Sequence, residues 1–263
     1  MSYDMHTKLI KYCKLKKIKF LSSPFCIDSF NLLRKFNLDF IKIPSGEITN
    51  LPYLRHVGGL NKKLILSTGM ATMQEINDAL DVLLQAGNNL SDIIILHCNS
   101  DYPTPMRDVN LAAMTAIENR FNVRVGYSDH TSGIEVPIAA VALGAIVIEK
   151  HFTHNKNVKS VDVEFSLGPD EMKSLVEETR NAWESQGKVK FSLSKSEKSN
   201  LKFRRSIYVI KKIKKGEKFS KQNLQCIRPG YGLNTKFFEK IINLKARKNI
   251  DRGTALKWNL IKR

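Results

Sequence analysis

The chain has 263 residues, is 42% hydrophobic and carries a formal net charge of +18. That length holds one large domain, or a large one with a small companion, and the apolar fraction supports a core without disulfides or structural metal. Cys13, Cys26, Cys98 and Cys226 are scattered and form no CxxC pair, which argues against a disulfide framework and for reduced thiols in a cytoplasmic protein. No apolar run reaches membrane-span length and no signal-peptide core opens the chain.

The charge is uneven. From Lys188 to Arg263 there are 23 Lys and Arg against 4 Asp and Glu, whereas residues 1–187 hold 20 basic and 21 acidic side chains. A basic tail suits nucleic acid, anionic substrates or merely a Lys-rich proteome.

In chain order, apolar strand-like runs occur at Lys19–Ser22, Phe40–Ile43, Leu64–Ser67, Ile93–His97, Arg124–Tyr127 and Ile146–Lys150. They are nearly continuous rather than alternating, as parallel strands covered on both faces are. Helical patterns fall at Asp28–Phe36, Met73–Ala86, Leu111–Arg120, Val136–Leu143 and Pro169–Glu184. Thr72 with Glu75 reads as a capping box, and Pro169 as a first-turn proline. Repeated strand–helix units predict a parallel α/β fold over residues 1–186. A polar, Ser/Lys-rich linker follows over 187–203, and a compact basic domain with short elements over 204–263.

Functional groups of parallel barrels collect at the carboxyl ends of strands. Here those ends read Ser22-Ser23-Pro24, Lys42-Ile43-Pro44-Ser45-Gly46-Glu47, Ser67-Thr68-Gly69-Met70, His97-Cys98-Asn99-Ser100-Asp101-Tyr102, Ser128-Asp129-His130-Thr131 and Glu149-Lys150-His151-Phe152-Thr153. Any one could be an ordinary loop; six in succession predict a site at the barrel mouth. The hydroxyls with Lys42 suit a phosphate. His130 and His151, on adjacent strand ends, suit one Mn²⁺-type ion with open positions. Glu47 suits general acid–base work.

These blocks, with Arg228-Pro229-Gly230-Tyr231-Gly232 in the basic segment, resemble the sialic acid synthases, also called N-acylneuraminate or nonulosonic acid synthases. The resemblance follows the whole chain in order, and the KIPSGE, SDHT and EKHFT blocks together are highly specific. It implies a (β/α)8 TIM-type barrel followed by a small antifreeze-like (SAF, β-clip) domain. It also implies condensation of phosphoenolpyruvate with an N-acetylated hexosamine, either N-acetylmannosamine or a 2,4-diacetamido-6-deoxyhexose, by a cytoplasmic transferase. By the same resemblance His130 and His151 bind a divalent metal, usually manganese. Ser23, Lys42, Ser45, Ser67, Ser100 and Ser128 bind phosphoenolpyruvate. Glu47 and Lys42 act at the reacting centre, and Tyr102 and Asp162 contact the sugar. Arg228 reaches the sugar in a neighbouring subunit, which implies a domain-swapped homodimer.

A (β/α)8 barrel takes about 250 residues, and the strand pattern resembles the family from its third strand onward. The expectation is a barrel missing its first two βα units, with open edges and low solubility unless a partner covers them, and either an internal start at Met1 or a split or fragmentary gene. A non-catalytic remnant or interaction subunit is therefore the alternative. Nucleic-acid binding is disfavoured, because the basic segment holds aromatics but no recognisable RNA-binding or helix-turn-helix motif.

Overall fold

The computed structural model describes residues 1–60 and 62–262. The chain divides into two compact units, Met1–Gly187 and Lys188–Arg263.

In the first unit the elements run α1 (Tyr3–Leu15), α2 (Ile27–Arg34), β1 (Phe40–Ile43), α3 (Leu51–Gly58), β2 (Lys63–Ser67) and α4 (Met73–Gln85). They continue with β3 (Ile93–Cys98), α5 (Leu111–Phe121), β4 (Arg124–Asp129), α6 (Glu135–Ala142), β5 (Ile148–Lys150) and α7 (Pro169–Gln186). Among the described residues the strands form one open, all-parallel sheet in the order β1-β2-β3-β4-β5. This is the α/β barrel architecture expected, present as a curled partial barrel.

Helix starts follow local chemistry. Thr72 Oγ1 accepts from Glu75 N at 3.2 Å while Glu75 returns the bond to Thr72 N at 2.7 Å, closing the capping box of α4. Pro169 opens α7, where its missing N–H costs no hydrogen bond.

One expected strand is corrected. Lys19–Ser22 forms no ladder with β1 among the described residues. Its apolar residues are poorly buried, Leu21 being 43% exposed, and the segment is tied beside β1 through side chains, Lys19 to Asp39 at 3.0 Å and over the Phe40 ring. An extended run becomes a strand only when a neighbour completes its hydrogen bonds, which sequence pattern does not reveal.

Strand alternation sorts side chains onto two faces. Ile41, Ile43, Leu64, Leu66, Ile93, Ile95, Val125 and Tyr127 point outward into a large core with the helices. Ile65, Ile94 and Leu96, with Phe40 and Val147, point inward and form a small separate cluster. Two chain positions further on, the inward series continues with Lys42, Ser67, Cys98, Ser128 and Glu149, so polar groups occupy the inner layer above that apolar floor.

Gly126 lies in the inward series. A Cβ there would meet Val147 O at 2.4 Å and Leu96 Cδ2 at 2.6 Å. The backbone of the neighbouring strand end cannot retreat cheaply, so Gly126→Ala is expected to cost about 1–3 kcal/mol. Thermal denaturation should show a fall of about 2–12 °C.

The second unit holds α8 (Lys195–Lys198), β6 (Ser206–Val209), β7 (Leu224–Ile227), α9 (Phe238–Ile241), β8 (Lys245–Ala246) and β9 (Ile261–Lys262). Two antiparallel pairs, β6–β7 and β8–β9, are stitched by isolated bridges such as Tyr208↔Ala255 and Ile213↔Ile250 around an Ile/Leu/Val core with Phe219. The final residue of the expected 204–263 domain lies outside the described residues.

Candidate active site

At the carboxyl ends of the strands the inward residues meet. Lys42 is buried at 7% exposure, and its Nζ lies 3.3 Å from Glu149 Oε1. Ser128 Oγ donates to the same Oε1 at 2.7 Å. A cleft of about 480 Å³ has Ser22, Ser23, Lys42, Ile65 and Glu149 among its lining residues. Ser67 Oγ is buried with no hydrogen-bond partner among the described residues, although an unsatisfied buried hydroxyl costs about 1–3 kcal/mol. Ser45 Oγ accepts from Gly69 N at 2.9 Å. A Cβ on Gly69 would come within 2.1 Å of Ser100 Oγ, so the absent side chain is what lets Ser45 and Ser100 close on this loop. Of the six expected anion-binding positions, Ser23 and Lys42 share the cleft, Ser128 joins Lys42 through Glu149, and Ser45 meets Ser100 across Gly69.

The imidazoles form a second focus. The His130 and His151 rings are 5.3 Å apart between centroids, and Phe165 packs edge-on to both. Tyr102 covers His130 with ring centroids 4.1 Å apart. Burial among these rings pushes the His130 pKa below its ordinary value and raises that of Tyr102. His130 Nδ1 is 2.7 Å from the Asn99 carbonyl. A neutral ring that donates from Nδ1 keeps a lone pair on Nε2, the arrangement usual for a metal-binding histidine. Asp162 Oδ2 lies 3.7 Å from His151 Nδ1. Among the described residues no three His, Cys, Asp or Glu side chains converge as a complete metal cage. Two imidazoles in van der Waals reach of one another, one with its tautomer set by a carbonyl, fit an ion that keeps open positions for a substrate oxygen.

Behind this pair, facing outward, Lys150 Nζ bonds Asp129 Oδ2 at 2.6 Å and also the Thr131 carbonyl, with both charged side chains almost fully buried. Asp129 Oδ1 accepts from Thr131 N at 2.9 Å and Thr131 Oγ1 at 2.8 Å. The strand end carrying His130 is thereby locked from the far face.

Glu47 stands apart. Its Oε2 accepts from Asn50 Nδ2 at 2.7 Å on the turn before α3, and among the described contacts none joins it to the histidines. Arg228 is exposed after β7, in a loop held by Ser206 Oγ, which donates to Pro229 O and accepts from Gly232 N, both at 2.8 Å. Sequence reasoning assigned no role to Glu149 or Cys98. Glu149 was legible in principle, since it shares inward parity with His151 two residues on.

A partial parallel barrel with lysine, serine, glutamate and imidazole groups gathered at its strand ends, followed by a small β-rich unit, defines an α/β fold joined to a second domain. The chain belongs to the NeuB family, which it matches over residues 1–191, and it carries a SAF domain over residues 204–262. The N,N'-diacetyllegionaminic acid synthase of Campylobacter jejuni is 47% identical over 93% of this chain and 73% of its own length. A pseudaminic acid synthase of the same species is 39% identical over 97% and 74%. Among solved structures, the N-acetylneuraminic acid (sialic acid) synthetase of Leptospira borgpetersenii superposes with a TM-score of 0.71 at 32% identity, covering 78% of this chain and 70% of that one. Among the described residues no helix is long and apolar enough to cross a membrane.

Proposed function

We propose that the chain condenses phosphoenolpyruvate with the open-chain aldehyde of an N-acetylated hexosamine, giving a nine-carbon 2-keto sugar acid and inorganic phosphate. The observation that carries this reading is that Lys42 of β1, Ser67 of β2 with its unpartnered hydroxyl, and Ser128 of β4 lie at the carboxyl end of the same sheet, on its inner face, where His130 and His151 follow β4 and β5. The names of the relatives support a nonulosonate product and make a 2,4-diacetamido-6-deoxyhexose the first sugar to try.

In this scheme Lys42 and the serine hydroxyls hold the phosphate by charge and hydrogen bonds fixed before the substrate arrives, which stabilises negative charge throughout the reaction. A divalent ion such as Mn²⁺ on His130 and His151 would supply Lewis-acid polarisation of the aldehyde oxygen. C3 of phosphoenolpyruvate attacks the aldehyde carbon, forming the C–C bond, and the aldehyde oxygen ends as a hydroxyl. Water adds at the electron-poor C2, and one of its protons ends on the former aldehyde oxygen. The C2–O bond of the phosphate ester then breaks, the electron pair leaving with the phosphate, and the remaining C2 hydroxyl gives its proton to the phosphate as C2 becomes the keto carbon. In this reading Tyr102, over His130, and Asp162, beside His151, would contact the sugar. Proton handling by Glu47, and delivery of Arg228 from a second copy in a domain-swapped dimer, rest on the family resemblance alone.

The comparisons lend no support to the non-catalytic alternative. The deciding assay incubates the chain with phosphoenolpyruvate, Mn²⁺ and, separately, N-acetylmannosamine or the 2,4-diacetamido hexoses. A nine-carbon keto acid by mass spectrometry with matching phosphate release is expected; soluble protein that yields neither with any sugar overturns the reading.

A further inference from the structure

Glu149 places a negative charge among the groups expected to hold a phosphate. Its Oε1 lies 3.3 Å from Lys42 Nζ and accepts from Ser128 Oγ at 2.7 Å, so one oxygen engages two of those groups. The partners are almost fully enclosed, with the Lys42 side chain 9% exposed and Ser128 at 2%, whereas the Glu149 side chain is 42% exposed and borders the cleft. The carboxylate therefore has room to move aside, and the ammonium and hydroxyl do not.

Two consequences follow from elementary electrostatics. A lysine this buried is costly unless an opposite charge compensates it, and Glu149 supplies that charge when no ligand does. An incoming phosphate must displace the carboxylate from Lys42 and Ser128 and then sit beside it, like charge against like. The resident anion thus lowers affinity for every phosphate that enters, the released product included.

We infer that Glu149 is a positioning residue that acts as an internal counter-anion: it holds Lys42 and Ser128 in place in the free site and competes with phosphate for them, which speeds product release. This rests on the phosphoenolpyruvate-binding reading above. Product release limits turnover in many well-evolved enzymes, and where it does such a competitor acts on turnover as well as on binding.

The test compares wild type with Glu149→Gln, which keeps shape and hydrogen bonding but removes charge, and with Glu149→Asp, which keeps charge. Equilibrium binding of inorganic phosphate is measured by calorimetry at one pH, with thermal denaturation with and without phosphate and steady-state kinetics alongside. For Glu149→Gln the expected results are about tenfold tighter phosphate binding, a lower Tm without ligand, and a larger rise in Tm on adding phosphate. The KM for phosphoenolpyruvate and kcat should fall together, with Glu149→Asp nearer wild type in all of these. Unchanged or weaker phosphate binding in a folded Glu149→Gln protein overturns the inference, as does a drop in kcat with KM unaltered. Wild-type protein that binds neither phosphate nor phosphoenolpyruvate instead overturns the phosphoenolpyruvate reading itself.

Discussion

Alanine at His130, or at His151, is expected to lower metal-dependent phosphate release by about 10³-fold or more, the equivalent of the several kcal/mol that Lewis-acid polarisation supplies. The two imidazoles are 5.3 Å apart between ring centroids, and His130 has Nδ1 committed to the Asn99 carbonyl, so its Nε2 is the free donor. On the proposed two-histidine site, removing either would leave a single nitrogen ligand. Binding of Mn²⁺, followed by electron paramagnetic resonance, should be lost in parallel with activity, and His130→Ala should also lower Tm without metal, since its ring is buried against Tyr102 and Phe165. Wild-type turnover in both variants would remove the metal from the mechanism.

Replacing Lys150 with Met should be the most damaging single change to stability. It strands the Asp129 carboxylate, at 0% exposure, without its cation and leaves the Thr131 carbonyl short of a donor. Breaking a buried pair in this way costs about 3–5 kcal/mol, a fall in Tm of about 6–20 °C for a unit of this size. The double variant Asp129→Asn/Lys150→Met should recover part of the loss, because no unpaired charge remains. Equal destabilisation in the single and double variants would show that the ion pair is not what matters. The effect reaches the site, since Asp129 also fixes Thr131 and the turn on either side of His130.

Much of this was legible in the sequence where chemistry is local. Phe40–Ile43 is a strand with the expected bounds, and the α4 capping box and the α7 proline stand where the pattern put them. Long apolar runs flanked by turn residues leave little choice when both faces are covered. What depended on neighbours was not legible. Lys19–Ser22 reads as a strand but lacks a ladder. The short amphipathic α3, opened by Asn50 and Pro52, was not foreseen, because eight residues give only two turns of periodicity. The strand-end blocks announced Lys42, the serines and both histidines, and they did not announce that Glu149 joins Lys42 to Ser128. That contact is a product of strand register: Ser128 pairs with Glu149 across β4 and β5, and no sequence spacing encodes it directly.

The division of labour along β5 also fixes where this gene can vary in length. Glu149 and His151 face the inner layer while Lys150, between them, holds Asp129 on the outer side. One residue inserted after Ile148 would exchange these roles at a stroke, turning both acidic and imidazole groups away from the cleft and driving an ammonium into it. The same insertion in the exposed loop between Thr153 and Ser160 leaves the pleat untouched. Length change is therefore filtered by parity rather than by position, and this strand end is a place where point substitution remains open to evolution while insertion and deletion are closed.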